Sequence, residues 1–255
     1  MLRLRASTAS PVFLGEDGLT AKQQETLDEL LSKIKLTEKQ AEKRDELIAK
    51  RDAPVELSAG AKTLIEDYVD RKVYDYYENF SNAKTEKGWL VEEEAIEIYN
   101  KVYFTNYCKV PDDHAYYHLE YNILGGHPDV VDCDKRKVID IKSSWSKKTF
   151  PKTPEKAYDT GYQWQVKLYL YMLTKITGER WRDGEVVHVL VSTPEELKPE
   201  WETESMHYVP EDFPLSLRTT KVEVELTDDD ILKIDRRLKA ASKYADEYYQ
   251  KLINK

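Results

Sequence analysis

The segment Val138-Ile139-Asp140-Ile141-Lys142 constrains the fold more than any other part of the sequence. Its β-branched residues predict a buried strand, and because side chains alternate along a strand, Asp140 and Lys142 share one face while Ile139 and Ile141 share the other. Opposite charges on a buried strand are costly unless they pair with one another or bind a metal. The pattern therefore predicts either a structural ion pair or a metal site on a β-sheet.

A second acid precedes this strand, in the run Gly126-His127-Pro128-Asp129. The polar tetrapeptide Asp134-Lys135-Arg136-Lys137 predicts a tight turn between the two segments, so we expect an antiparallel hairpin that brings Asp129 close to Asp140. The glycine allows a close backbone approach, and the proline suits the first position of a strand. Two adjacent carboxylates supply the oxygen ligands that Mg²⁺ or Mn²⁺ prefers.

Two predicted helices each direct one polar side chain towards this strand. On the helix expected from Trp89 to Tyr103, Glu92 is the only polar member of an otherwise apolar stripe, although a small shift in register would replace it with Glu93. On the helix expected from about Lys156 to Ile176, the stripe contains a single amide, Gln165. A polar group that faces a core needs a partner there. Both helices are thus predicted to complete the site of the strand.

The composition narrows the class of protein. The formal net charge is −9 at pH 7, which argues against a protein that coats nucleic acid non-specifically, since such proteins carry a basic excess. Two cysteines, Cys108 and Cys133, predict neither a disulfide framework nor a four-thiolate metal site. No segment has the length and apolar character of a membrane span or a signal peptide, so we expect a cytoplasmic protein with no membrane partner.

Four motifs follow one another along the chain: Glu92, Gly-x-Pro-Asp at 126–129, Asp-x-Lys at 140–142 and Gln-x-x-x-Tyr at 165–169. This series resembles that of the PD-(D/E)XK nucleases, in particular their lambda-exonuclease-like, YqaJ-type and RecB-like phage and bacterial branch. The resemblance implies an α/β, restriction-endonuclease-like core with a mixed central β-sheet flanked by helices. It also implies hydrolysis of phosphodiester bonds that depends on Mg²⁺, for which Mn²⁺ can substitute.

The same resemblance implies a role for each motif residue. Lys142 would orient the attacking water and stabilise the negative charge that develops on the phosphate. Gln165 and Tyr169 would hold this network or the DNA backbone. The implied metal ligands are three side-chain carboxylates and one backbone carbonyl: Asp129, Asp140, Glu92 and Ile141.

The implied activity is that of an exonuclease that resects double-stranded DNA ends for phage-type recombination or repair. The resemblance further implies a single-strand annealing protein as a partner, a homotrimer as the assembly, and the host cytoplasm as the location of a phage-encoded enzyme. Within the enzyme class, the alternative is a site-specific endonuclease. Outside that class, the alternative is a non-catalytic DNA-binding or interaction protein on a nuclease fold.

The N-terminal part of the chain lies outside the motif series. Residues 1–18 are predicted to be irregular, and two helices follow, each opened by a capping box, Thr20 with Gln23 and Thr37 with Gln40. We expect these helices to form a helical hairpin that ends near Ala53-Pro54. The predicted organisation is therefore an irregular N-terminus with a helical hairpin over residues 1–57 and a nuclease domain over residues 58–255.

A local basic cluster adjoins the predicted site on this otherwise acidic chain. One interpretation is a track for DNA phosphates, and the alternative is a solvated turn and loop. The members of the cluster are Lys135, Arg136, Lys137, Lys147, Lys148 and Lys152.

Overall fold

The computed structural model of the chain describes residues 2–15, 18–77, 82–111, 113–114, 116 and 118–254. The helices are α1 (Ser10–Phe13), α2 (Ala21–Ser32), α3 (Glu38–Asp52), α4 (Ala59–Val73), α5 (Ala83–Leu90), α6 (Glu92–Tyr103), α7 (Pro154–Ala157), α8 (Thr160–Thr177), α9 (Glu204–His207) and α10 (Asp228–Ile253). The strands are β1 (Leu4–Arg5), β2 (Leu119–Tyr121), β3 (Leu124–Gly126), β4 (Val130–Asp132), β5 (Lys137–Ser143), β6 (Asp183–Val189) and β7 (Thr219–Glu225).

The central sheet is mixed, with the strand order β4-β5-β6-β7. Strands β4 and β5 form the predicted antiparallel hairpin, β5 and β6 run parallel, and β6 and β7 run antiparallel. A second sheet, with the order β1-β3-β2, is also mixed. Helices flank the central sheet, which confirms the predicted α/β class and the mixed sheet between helices.

The two faces of the central sheet pack against different helices, as the alternation along β5 predicts. Ile139 and Ile141 lie in a core cluster with α6, whereas Val138 lies in a larger cluster with α8. Since Asp140 and Lys142 alternate with the isoleucines, they lie on the face that α8 covers. The sheet thus presents an apolar face to α6 and carries the charged pair towards α8.

The N-terminal segment corrects the prediction that residues 1–18 are irregular. Leu4–Arg5 pair in parallel with β3, and in α1 the side chains of Val12 and Phe13 are fully buried in the main core. The carbonyl of Val12 accepts a hydrogen bond from the buried guanidinium of Arg237 on α10. A strand of two residues shows no periodicity, and its pairing partner is remote in sequence, so local patterns could not reveal it.

The helical hairpin of α2 and α3 forms as predicted, with both capping boxes in place. Helix α3 ends at Asp52, directly before Ala53-Pro54. The hairpin has its own small apolar cluster, separate from the main core. The buried members of this cluster are Leu19, Leu27, Leu30 and Leu47.

Two helix boundaries differ from the prediction. The helix expected from Trp89 consists of α5 and α6, because Val91 leaves the helical conformation (φ −108°, ψ 11°) and serves both as the C-cap of α5 and as the N-cap of α6. The helix expected from about Lys156 begins instead at Thr160, where Asp159 caps the first turn. Among the described residues, none of the helices combines the length and apolar character that a bilayer crossing requires.

Candidate active site

The β4–β5 hairpin brings Asp129 beside the middle of β5. Strand pairing in the hairpin ends at Val130 opposite Ile139, so the backbone N–H and C=O of Ile141 have no partner from β4. Asp129 fills this position, and its Oδ2 atom accepts the backbone N–H of Ile141 at 2.6 Å. Because the N–H and C=O of one strand residue point to the same edge, the Ile141 carbonyl faces the same side as Asp129. The hairpin therefore gathers a carboxylate and a backbone oxygen at one point.

Asp140 is completely buried, with 0% of its surface exposed. Its Oδ2 atom lies 2.7 Å from the Lys142 ammonium, although not in hydrogen-bond geometry, and its Oδ1 atom has no hydrogen-bond partner. A buried charged oxygen without a partner carries a large desolvation cost. The Asp140 carboxylate is thus placed to accept a cation that the protein itself does not supply.

A chain of hydrogen bonds links Lys142 to α8 and to the loop before β4. The Lys142 ammonium donates to Gln165 Oε1 at 3.1 Å, and Gln165 Nε2 donates to the Tyr169 hydroxyl at 3.0 Å. The Tyr169 hydroxyl donates in turn to the carbonyl of His127 at 2.9 Å. A Cβ atom on Gly126 would lie only 2.5 Å from the Tyr169 ring, so a glycine is needed for this approach. These hydrogen bonds connect the Asp-x-Lys and Gln-x-x-x-Tyr motifs to the loop that carries Asp129.

The register of α6 resolves the choice between Glu92 and its neighbour. Glu92 turns inward with 15% of its side chain exposed, whereas Glu93 is exposed to solvent. Glu92 pairs with Lys109, whose ammonium lies 2.7 Å from Glu92 Oε2. Among the residues that the structure describes, no three His, Cys, Asp or Glu side chains lie close enough to hold a metal together. Glu92 therefore faces the site, and its charge contributes to the raised pKa of both Asp129 and Asp140.

Electrostatics in the site reflect two carboxylates buried side by side. Burial, reinforced by the charge of Asp140, raises the pKa of Asp129 to about 8. Burial also raises the pKa of Asp140, against the opposing effect of Lys142. For Lys142, burial works against the charged form, but the two aspartates outweigh it and raise the lysine pKa. The site thus holds more negative charge than its single lysine can neutralise.

The donor set suits Mg²⁺ or Mn²⁺. Mg²⁺ is usually held by one or two carboxylates and keeps several waters, rather than being enclosed by protein ligands. Asp129, Asp140 and the Ile141 carbonyl supply oxygen ligands of this kind, and the unpartnered Asp140 Oδ1 is the clearest sign that these residues fit a cation. A divalent ion would also relieve the repulsion that raises both aspartate pKa values.

Several residues near the site were not predicted as functional. His188 lies opposite Lys142 in the β5–β6 register, and the ring of Tyr162 lies 4.9 Å from the Lys142 ammonium. His188 is the one titratable side chain in the apolar sequence run from Val186 to Ser192, a signal that could have identified it. Lys109 follows α6 in an irregular segment, so no periodicity could predict its pairing with Glu92.

The basic cluster divides into two groups. Lys135, Arg136 and Lys137 pair with carboxylates of the protein, those of Asp132, Glu179 and Glu185 respectively. The Lys152 ammonium donates to the carbonyls of Lys147 and Phe150. The turn residues are thus partly neutralised within the protein, which favours the alternative of a structural turn for that half of the cluster.

Comparison of the sequence with protein-family profiles finds no match, and neither does comparison with curated proteins. The fold is similar to that of a phage-related exonuclease from Haemophilus somnus 129PT, with a TM-score of 0.73 and 20% identity over 98% of this chain and 96% of the other. It is also similar to the alkaline exonuclease LHK-Exo from Laribacter hongkongensis, with a TM-score of 0.57 and 13% identity over 99% and 92% of the two chains. LHK-Exo in complex with dAMP gives a TM-score of 0.54 at 13% identity over 98% and 91%. The chain therefore has the fold of phage-type exonucleases, as the motif series predicted.

Proposed function

We propose that this protein is an Mg²⁺-dependent deoxyribonuclease that acts as an exonuclease on double-stranded DNA ends. The observation that carries the proposal is the buried Asp140, which has one oxygen without a partner and lies beside Asp129 and Lys142 on an exonuclease fold. A structural ion pair would leave no carboxylate oxygen unsatisfied in the core. The proposal thus rests on chemistry at the site as well as on the fold.

Each residue of the site has a chemical task under this proposal. Asp129, Asp140 and the Ile141 carbonyl would hold the metal, and Glu92 would complete the acidic set. The metal would supply Lewis-acid activation of the phosphate and of water. The Ile141 N–H fixes the orientation of the Asp129 carboxylate. Lys142, held by Gln165 Oε1, is oriented to position the attacking water and to stabilise negative charge on the phosphate oxygens.

The choice of an exonuclease follows the structural neighbours. Two of them are named exonucleases, and one was crystallised with dAMP, a nucleoside monophosphate of the kind that stepwise cleavage releases. By the same likeness we propose recombination or repair as the role, a single-strand annealing protein as the partner, a homotrimer as the assembly, and the host cytoplasm as the place of action. The division at residues 57 and 58 stays part of the proposal for the hairpin of α2 and α3 alone, because β1 and α1 pack in the main core.

The test compares linear duplex DNA with covalently closed circles, each in Mg²⁺ and in EDTA. We expect loss of the linear DNA alone, in Mg²⁺ alone, with no loss in the Asp140→Ala variant. Equal cleavage of closed circles would indicate the site-specific endonuclease instead. Binding of DNA without cleavage in Mg²⁺ or Mn²⁺ would favour the non-catalytic DNA-binding protein. Labels at either end of the linear DNA would give the strand polarity.

A further inference from the structure

Lys87 on α5 is buried in the core, and uncharged oxygen atoms accept hydrogen bonds from its ammonium. Its side chain is fully buried, with 0% of the residue exposed, and no ion pair to it is found among the residues that the structure describes. Four oxygen atoms surround the ammonium: the carbonyls of Ser144 at 2.6 Å, Trp145 at 3.1 Å and Val191 at 2.9 Å, and the Thr193 hydroxyl at 3.0 Å. Such a shell resembles the coordination of a metal cation more than a salt bridge.

The acceptors come from two neighbouring strands of the central sheet. Ser144 and Trp145 directly follow β5, which carries Asp140 and Lys142, and the other two acceptors follow β6. The Ser144 N–H also donates to the carbonyl of Val189 at 3.0 Å, so the two chains stay paired up to this point. Lys87 therefore binds both strands where their pairing ends, two residues beyond Lys142.

The backbone of Lys87 connects this point to the helix that carries Glu92. The Lys87 carbonyl accepts the N–H of Val91 at 3.0 Å and so ends α5, and the carbonyl of Val91 accepts the N–H of Ala95 at 2.9 Å in the first turn of α6. Glu92 is the first residue of α6. Lys87 thus connects the end of β5, which carries Asp140 and Lys142, to the start of α6, which carries Glu92.

The Thr193 hydroxyl extends this arrangement towards the surface. It donates to the Trp145 carbonyl at 2.8 Å and contacts His207 Nδ1 at 3.0 Å. His207 is itself buried and pairs with Glu202, which also accepts the indole N–H of Trp145. Contacts with His207 and Glu202 thus hold Thr193 and Trp145, which supply two of the acceptors of Lys87.

We propose that Lys87 is a positioning residue of the metal site, which fixes Glu92 relative to Asp140 and Lys142. This inference rests on the proposed metal-dependent nuclease function. Lys87 would touch neither metal nor DNA, and it would act through the strand ends and through the start of α6. Residues that orient the ligands of a metal typically change metal affinity by about 10- to 100-fold when they are replaced.

The test replaces the ammonium with an apolar side chain of similar length, in Lys87→Met. We expect both the Mg²⁺ concentration for half-maximal cleavage and the Mn²⁺ dissociation constant from calorimetry to rise by about 10- to 100-fold. Thr193→Val, which removes one acceptor, should give a smaller rise in the same direction. The matched control is Arg237→Met, since Arg237 is equally buried and donates to a backbone carbonyl, but on α10. It should lower stability without changing either metal constant.

A lower melting temperature of Lys87→Met with an unchanged Mn²⁺ dissociation constant would overturn the proposal, because Lys87 would then be purely structural. If Lys87→Met does not fold, the same comparison is made with Thr193→Val, and an unchanged constant there has the same meaning. The Mn²⁺ titration decides the role of Lys87 even if the wild-type protein cuts no DNA. That last result would overturn the proposed nuclease function alone.

Discussion

Two buried carboxylates on neighbouring strands of the central sheet have opposite surroundings. Glu185 on β6 has 1% of its surface exposed, and its carboxylate accepts hydrogen bonds from Lys137, from Lys221 at 3.0 Å and from the Tyr99 hydroxyl at 2.8 Å. Asp140 on β5 is equally buried, but it has one lysine beside it and one oxygen with no partner. Since Asp140 pairs in register with Val186, the two acids lie on opposite faces of the sheet.

The pKa values of the two acids shift in opposite directions. Burial works against the charged form of Glu185, but the hydrogen bonds from Lys137, Lys221 and Tyr99 outweigh it and hold the pKa of that carboxyl below its ordinary value. Burial raises the pKa of Asp140, and Lys142 does not compensate. Burial of an acid therefore does not separate a structural residue from a functional one. The separation lies in whether the protein provides all of its partners.

The largest expected effect is on catalysis, in Asp140→Asn. The metal would lose a charged ligand, and since a metal contributes several kcal/mol of transition-state stabilisation, single-turnover cleavage should fall by about 10³-fold. The melting temperature in EDTA should fall less than that of Glu185→Gln, because the amide removes a buried charge that lacks a full set of partners, while Lys142 keeps Gln165 and the charge of Asp129. A melting temperature that falls as far as that of Glu185→Gln would contradict the comparison.

The converse substitution, Glu185→Gln, should lower the free energy of unfolding. It removes the buried carboxylate that Lys137 and Lys221 share, and removing one partner of a buried ion pair costs about 3 kcal/mol. Urea unfolding measures this loss, while the Mg²⁺ requirement of cleavage at low temperature should not change. Glu223→Gln is the matched control, because Glu223 also pairs with Lys221 but is 82% exposed. If both variants unfold at the same urea concentration, Glu185 is not the structural acid described above.

Metal binding should distinguish the two acids directly. At a Mn²⁺ concentration of 100 times the dissociation constant, the wild-type protein should gain about 2.7 kcal/mol of stability. Glu185→Gln should gain the same free energy of unfolding from Mn²⁺, although it is less stable than the wild type without metal. Asp140→Asn should gain little. Differential scanning fluorimetry with a Mn²⁺ series and an EDTA reference measures these gains. An equal gain in Asp140→Asn would place the ion elsewhere.

The smallest effect concerns pH in the absence of metal. Because folding raises the pKa of Asp129 from 3.8 to about 8, the folded state binds the proton more tightly, and stability should fall as the pH rises between these values. Asp129→Asn should show a smaller fall, because the raised pKa of Asp140 contributes a fall of the same sign. Glu185, with its lowered pKa, contributes stability above its ordinary pKa of 4.5 that is lost as the pH drops through its folded value. Urea unfolding in EDTA from pH 4 to 8 would show both slopes, and a flat wild-type profile above pH 5 would contradict the first.

The sequence predicts the site well where a short-range pattern carries the information. The alternation along β5 placed Asp140 and Lys142 on one face, and helical periodicity selected Glu92 and Gln165. The mixed sheet followed from the motif series, and the structure confirms it. These features depend on side chains that are close in sequence, so their spacing is visible before the fold is known.

The remaining features depend on contacts between distant segments. Asp140 and Glu185 both adjoin apolar strand residues in the sequence, and nothing local shows that Lys137, Lys221 and Tyr99 hold Glu185. Lys87 gives no local sign that its acceptors follow two strands far along the chain. The same limit applies to β1, which is too short for a periodic pattern.

The pairing of β1 with β3 has a consequence for the order of folding. Leu4 pairs with Leu124, close before the first aspartate motif, and the contact of Arg237 with Val12 joins residues 225 positions apart. Contacts of such separation form late, because loop closure must precede them, whereas the hairpin of α2 and α3 needs only local contacts. We therefore expect the hairpin to fold early and the loop around Gly126 to close last. Under the proposed function, cleavage activity would then appear only after most of the chain has folded, as one of the final events of folding.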